Sequence, residues 1–380
     1  MKSDNPLRVL HVIVSMNRGG AETFIMNIYR NINRRKVQFD FLLHTIKKCD
    51  FTEEILSLGG KIYSVSNPAY QKLPTLCSII KYQNELDLFF KKYSSYQIIH
   101  THMSGRSSEV LKFAKKNNVS ARIAHSHIIL NQRNLKRLAY EISGYGVRKN
   151  SNFFLTCSKG AAVSLFGINK VKKKEIYYLP NAIEVNKFTY NYEYRKTIRK
   201  ELKISNRFVI GHIGRFDDQK NHKLIIKIFK EIYSLNPNAI LLLIGSGPLK
   251  TYIQKKIHQL KLDEVVFFLG TRSDVPDLLQ AMDVFLFPSK YEGLGIVVIE
   301  AQAAGLPTIV SEHIPEEAYV TDLIESVSLK APVKVWAEKC LEYSNGNKRK
   351  DTSEIIIKKG FDVQSTTKWL EEFYLKLVKK

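Results

Sequence analysis

Two segments carry charged side chains at spacings that suit the phosphates and ribose of a nucleotide. The first reads Gly211-His212-Ile213-Gly214-Arg215-Phe216-Asp217-Asp218-Gln219-Lys220-Asn221-His222. An apolar strand ends at Gly214, where no side chain obstructs a ligand. Arg215 and Lys220 then straddle the start of a helix whose amide dipole also favours anions. A planar guanidinium fork beside a point charge suits a diphosphate. Taken alone, the segment reads equally well as a surface turn with two ordinary cations. The second reads Ser289-Lys290-Tyr291-Glu292-Gly293-Leu294-Gly295-Ile296-Val297-Val298-Ile299-Glu300. Eight positions make a little over two helical turns, so Glu292 and Glu300 can share one side of a helix and the loop leading into it. Gly293 and Gly295 expose backbone N–H groups to a ligand. Glu300 heads the apolar stretch 301–305, where an idle carboxylate is costly, and a carboxylate there can accept hydrogen bonds from the vicinal hydroxyls of a ribose. Glu292, in the loop, is free to meet a sugar. The plain alternative for both glutamates is a solvated face.

His100, His102, His125 and His127 form a second group. All four fall at the ends of expected strands, and the members of each pair, two residues apart, point the same way. Convergence at sheet ends favours a functional role over a structural one, with metal binding as the competing idea.

Alternating β and α segments must hold these residues in place. Short apolar runs at 7–15, 39–44, 62–65, 97–102, 121–127, 153–158 and 176–181 read as strands separated by amphipathic helices. A charged stretch at 184–206 reads as a boundary. A second set of runs follows at 208–213, 239–244, 265–269, 284–288 and 308–310. The expected fold is α/β, with two doubly wound, Rossmann-like domains facing a central cleft. The boundaries are residues 1–185 and 186–360, with a C-terminal helix at 361–380 crossing back to the N-terminal domain. Ligands of such sheets gather at the C-terminal strand ends.

Lys and Arg number 59 against 36 Asp and Glu, a formal net charge of +23 in 380 residues. Such a surface attracts polyanions, although a lysine-rich codon habit gives the same balance. The four cysteines are scattered without Cys-x-x-Cys spacing, which argues against a zinc site or disulfide scaffold and fits a reducing compartment. No window approaches the roughly 20 apolar residues of a membrane span, and the expectation is a cytoplasmic protein.

Gly-Arg-Phe-x-x-Gln-Lys-Asn at 214–221, followed by Glu-x7-Glu at 292–300, resembles the retaining glycosyltransferase family 4 of GT-B enzymes. Gly245-Ser246-Gly247-Pro248, Asp274-Val275-Pro276 and Ala304-Gly305-Leu306-Pro307 match in order, as do Gly19-Gly20-Ala21-Glu22, His125-Ser126-His127 and Leu179-Pro180-Asn181-Ala182-Ile183. The resemblance spans residues 7 to about 310 and is nearest to enzymes that assemble bacterial capsule, exopolysaccharide or O-antigen. It implies that Gly214, Arg215 and Lys220 hold the donor diphosphate and Glu300 the ribose. Glu292, with the backbone of Gly293, Leu294, Gly295 and Ile296, would orient the sugar, and Arg272 would border the base. Gly19 and Gly20 would let the first loop approach phosphate and acceptor. His127 matches the family's N-domain histidine near the transferred sugar, with His125, His102 and Asn181 as secondary candidates. One position departs from the pattern: Ala182 stands where a glycine is common, which weakens any role for that turn.

The activity implied is retaining transfer of a hexose or N-acetylhexosamine from a nucleotide-sugar, expected to be a UDP-sugar, to a glycan or lipid-linked oligosaccharide. The nucleotide-sugar is a co-substrate; neither cofactor nor metal is expected. The cationic stretches 131–140 and 170–174 could rest on the anionic cytoplasmic face of a membrane. No recognition helix or stacking motif points to nucleic acid. The rival readings are a nucleotide-sugar epimerase of the same fold and a non-catalytic nucleotide-sugar-binding subunit.

Overall fold

The computed structural model describes residues 5–65, 76–129, 135–346 and 349–378. The chain divides into two compact units, residues 1–182 with 363–380 and residues 183–362.

In the first unit seven parallel strands, β1 (Leu7–Ile13), β2 (Val37–Leu43), β3 (Ile62–Ser64), β4 (Ile98–Thr101), β5 (Ala121–Ser126), β6 (Phe153–Thr156) and β7 (Tyr177–Tyr178), lie in the order β3-β2-β1-β4-β5-β6-β7. Helices cover both faces, so β2 is buried along its whole length, Gln38 and Asp40 included. Val9, Ile13, Phe39 and Phe41 pack with Phe24, Ile28 and Tyr29 of the helix Gly20–Asn31, and with Leu370, Phe373 and Tyr374 of the helix Val363–Leu377. Leu10, Val12, Leu42 and Ile99 face the other way, onto Leu86, Phe90, Val110 and Phe166. The C-terminal helix thus completes the core of the unit in which the chain begins.

The second unit holds six parallel strands, β8 (Phe208–Ile213), β9 (Ala239–Ile244), β10 (Val266–Gly270), β11 (Val284–Phe287), β12 (Thr308–Ser311) and β13 (Ile324–Val327), in the order β10-β9-β8-β11-β12-β13. The edge strand β13 has no counterpart in the sequence reading, because Ile-Glu-Ser-Val is half polar and only its pairing with β12 makes it a strand. The charged stretch 184–206 lies at the start of the second unit. It folds as the helices Val185–Phe188 and Tyr192–Glu201, and its arginines have fixed partners. Arg195 and Arg199 both bind Asp283, and Arg195 also caps the carbonyls of Gln280 and Met282. Part of this charge thus anchors the helix Tyr192–Glu201 to the end of the helix Val275–Ala281 and to Asp283.

Both sheets are doubly wound. Strand order reverses between β1 and β4 in the first unit and between β8 and β11 in the second. Crevices at such reversals, beyond the C-terminal strand ends, are where open α/β sheets take ligands. Among the described residues no helix is long and apolar enough to cross a membrane.

Candidate active site

The loops that follow β8 and β11 are stitched together. The Lys290 amide donates to the Gln219 carbonyl at 2.8 Å, and Gln219 Nε2 donates to the Tyr291 carbonyl at 2.9 Å. Asn221 Nδ2 donates to the Pro288 carbonyl at 3.2 Å. On the other side, Phe216 N donates to Ser246 O at 2.9 Å. This approach is so close that a Cβ on Gly245, at φ +133°, would sit 2.1 Å from the Gly214 carbonyl oxygen. Gly214 likewise leaves room for the Lys220 stem, since a Cβ there would lie 3.1 Å from Lys220 Cγ.

This scaffold fixes Lys220 between the two strand ends. Its Nζ donates to Glu292 Oε1 at 2.6 Å and lies 4.6 Å from the Phe287 ring centroid. The two partners expose only 16% and 7% of their side chains, so this is a sheltered ion pair rather than a surface one. Gly295, in the left-handed region at φ +81°, turns the chain into the helix Ile296–Ala303, and no side chain caps that helix start. Leu294 and Ile296 are buried core residues, so only their backbone can face a ligand.

Glu300 is buried, with 7% of its surface exposed, and its carboxyl makes no hydrogen bond or ion pair among the described residues. Burial alone pushes it up to about 7. A buried carboxylate without donors is unfavourable, and a ligand bringing hydroxyls would relieve that cost. Arg215 lies with Lys220 on the loop after β8, with 72% of its side chain exposed and Asp217 3.9 Å away. Arg272 is held by Asp274 in a two-pronged contact of 2.8 and 2.5 Å. The expectation that Arg215 and Lys220 straddle a helix start needs adjusting. Both precede the helix His222–Leu235, whose N-cap is Asn221 in the left-handed conformation.

In the first unit, Gly19 is the N-cap of the helix Gly20–Asn31, in extended conformation. The histidines converge more closely than sequence suggested. His100, His102, His125 and His127 are joined by His11, which pairs with His100 across β1 and β4. Burial holds all five below the usual imidazole range, so each is neutral at pH 7. His11, His100 and His102 bring three ring nitrogens within 4.8 Å of one another, as do His102, His125 and His127. These two sets are the residues that could hold a metal. His11 escaped sequence reading because it sits mid-strand in an apolar run, and only the register puts it beside His100. The Tyr374 hydroxyl, 2.6 Å from His100 Nδ1, arrives from the far end of the chain and left no local signal. Asn181 is buried beside His127. Ala182 is absent from the positive-φ residues, so no glycine is needed there. The side chains of 131–140 lie outside the described residues; in the 170–174 run, Lys170 is paired with Glu175 at 2.6 Å.

Residues 194–359 match the family model "Glycosyl transferases group 1". The chain is 33% identical over 374 residues to the "Putative glycosyltransferase EpsF" of Bacillus subtilis (strain 168), covering 97% of this chain and 96% of that one. It is 27% identical over 338 residues to the "UDP-Gal:alpha-D-GlcNAc-diphosphoundecaprenol alpha-1,3-galactosyltransferase" of Escherichia coli, covering 80% and 83%. Among solved structures, Anabaena Alr3699/HepE in complex with UDP and glucose superposes with a TM-score of 0.79 over 97% of this chain and 99% of that one, at 17% identity. That likeness fixes the fold class as GT-B, with two Rossmann-like domains. With relatedness over nearly its whole length, the chain belongs to the group 1 glycosyl transferases, and the protein is a glycosyltransferase.

Proposed function

We propose that the protein is a retaining family 4 enzyme that moves a hexose or N-acetylhexosamine from a UDP-sugar to a growing, lipid-linked polysaccharide. The observation that carries this reading is the sheltered Lys220–Glu292 pair at the ends of β8 and β11, followed on the helix Ile296–Ala303 by the partnerless, buried Glu300. Glu300 accepts from the ribose hydroxyls. Lys220 exchanges Glu292 for the donor diphosphate, joined by Arg215, and Glu292 is released to accept from a sugar hydroxyl. Arg272 borders the base, while Gly293 to Ile296 offer backbone amides. In the first unit, Gly19 and Gly20 are assigned to phosphate and acceptor, and the corner formed by His127 and Asn181 to the transferred sugar.

Bond changes follow from these placements. The bond between the anomeric carbon and the phosphate oxygen breaks, and its electron pair goes to the diphosphate, whose growing charge Arg215 and Lys220 stabilise. The acceptor oxygen bonds to the same face of the anomeric carbon, and its proton passes to the leaving phosphate oxygen. No protein nucleophile and no metal are required. The lipid-linked acceptor is supported by the E. coli relative, whose name specifies a diphosphoundecaprenol glycan. A cytoplasmic protein with a net charge of +23 would meet that substrate at an anionic membrane face.

Calorimetric titration with UDP tests the donor half. Wild type should bind, Lys220→Ala and Glu300→Ala should each weaken binding at least about tenfold, and equal affinity in all three would remove the assignment.

A further inference from the structure

The five buried histidines form two rows rather than a cluster. In one, His11 Nδ1 lies 3.0 Å from His102 Nε2, and His102 Nδ1 lies 2.9 Å from His127 Nε2. In the other, Tyr374 OH meets His100 Nδ1 at 2.6 Å, and His100 Nε2 meets His125 Nδ1 at 3.2 Å. Within each row the rings are edge to edge and close to coplanar: His11 and His102 are tilted by 11°, His102 and His127 by 26°, His100 and His125 by 11°, with centroids 5.2–5.3 Å apart. The rows stack on one another, with centroids 4.3 Å apart at His100 and His102 and 3.9 Å at His125 and His127. Nitrogens facing head-on at about 3 Å enclose a proton. A shared metal in line would need about 2 Å on each side. The rows are therefore chains of N–H···N hydrogen bonds.

A neutral imidazole has one N–H and one lone pair, so every bond in a row must point the same way. Two atoms at the ends decide the direction. His11 Nε2 is buried without a partner, beside the Phe39 ring. An orphan lone pair is tolerated there more readily than an orphan N–H, so the His11 proton belongs on Nδ1 and points to His102. At the other end, His127 Nδ1 and Asn181 Oδ1 are both buried without a hydrogen-bond partner, and the Asn181 side chain favours a proton on His127. They satisfy each other only if Nδ1 bears the proton. In the second row His125 Nε2 is buried without a bond of ordinary geometry, but the Leu179 backbone favours a proton on this ring, which sets the same sense: Tyr374 donates to His100 and His100 to His125. Both rows thus discharge onto one segment, Leu179 to Asn181.

We propose that the two histidine rows are a positioning device for Asn181, turning its carbonyl inward to His127 and its amide nitrogen outward as the donor to a ligand oxygen. Asn181 Nδ2 has no hydrogen-bond partner among the described residues and is not among the enclosed atoms. With both ring nitrogens directed inward, His127 has no lone pair to act as a base. His102 and His11 are positioning residues acting through it. That the ligand oxygen belongs to the sugar or diphosphate of a nucleotide-sugar rests on the function proposed above.

Nitrogen-resolved NMR of histidine-labelled full-length protein tests the device without any substrate. At neutral pH the resonances of His11, His102 and His127, assigned by single His→Gln variants, should show pyrrole-like Nδ1 and pyridine-like Nε2. An Nε2–H tautomer at His127 would overturn the proposal, because it reverses the amide; a charged ring would overturn the row, because its Nε2–H cannot accept from His102 Nδ1. In His102→Asn, whose amide N–H replaces Nδ1–H, the His127 tautomer should be unchanged. In His102→Leu it should become a mixture; an unchanged tautomer there would show that His102 does not set it. For the ligand contact, Asn181→Asp should lower turnover of a UDP-sugar at least about tenfold, and full turnover would refute the outward donor. A wild type without turnover would count against the proposed function while leaving the tautomers to decide the device.

Discussion

Replacing Glu300 by Gln should make the empty protein more stable and a poorer nucleotide binder. The carboxyl is displaced from 4.5 to about 7 by burial alone. At about 1.4 kcal/mol per pH unit, ionisation in the folded state costs about 3 kcal/mol. The sign follows from which state holds its proton longer. Below about pH 4.5 the group is neutral whether folded or unfolded, and it contributes nothing. Between there and about 7 the unfolded chain sheds its proton first, so stability falls with rising pH. Above 7 the whole penalty is present. Gln is neutral throughout, so Glu300→Gln should raise the melting temperature by roughly 5–10 °C at pH 8 and by almost nothing at pH 4.5. Calorimetric melting across that range reads the difference. Against this gain, UDP loses charge-assisted hydrogen bonds from its ribose, worth about 3 kcal/mol or roughly a hundredfold in Kd. UDP titrates its own phosphate equally in both proteins, so the ratio of their affinities isolates Glu300, and the wild-type advantage should shrink below pH 7. An equal melting temperature at pH 8, or the same gain at both pH values, would refute the buried and uncompensated carboxylate.

Lys220→Met should leave Glu292 without its 2.6 Å partner and reduce donor turnover at least about a hundredfold, measured as UDP release; a loss under threefold would remove Lys220 from the diphosphate site. Gly245→Ala places a methyl 2.1 Å from the Gly214 carbonyl oxygen at φ +133°, and should cost about 2 kcal/mol or more, read as a lower denaturation midpoint. Asp283→Asn weakens the shared anchor of Arg195 and Arg199 and should destabilise the second unit by about 2–3 kcal/mol, with no change in denaturant m-value. Flotation with vesicles should recover the protein only when anionic lipid is present, and recovery independent of lipid charge would end the membrane assignment.

Much of the second unit was legible because its signals are local. A strand ending in Gly214, a cation five residues beyond Arg215, and two carboxylates around Gly293 and Gly295 lie within short stretches of chain. The Lys220–Glu292 bond was not legible: it joins residues 72 apart and depends on β8 and β11 being neighbours. The first unit hid more. Period-two alternation pairs His100 with His102 and His125 with His127, but the rows they join also take in His11 and Tyr374, which are 91 and 274 residues from their partners. The folding of 184–206 was not legible, because an arginine bound to Asp283 and an arginine in water look alike in a sequence. β13 was missed for the converse reason, being polar enough to look like loop until paired.

The central claim is retaining transfer from a nucleotide-sugar to a lipid-linked glycan. The most direct test incubates the purified protein with a panel of UDP- and GDP-sugars and a membrane lipid extract, then reads the anomeric configuration of the product by NMR. One UDP-sugar should be consumed only when extract is present, and its anomeric configuration should be kept. Inverted configuration, or consumption of no donor with any extract, would contradict it.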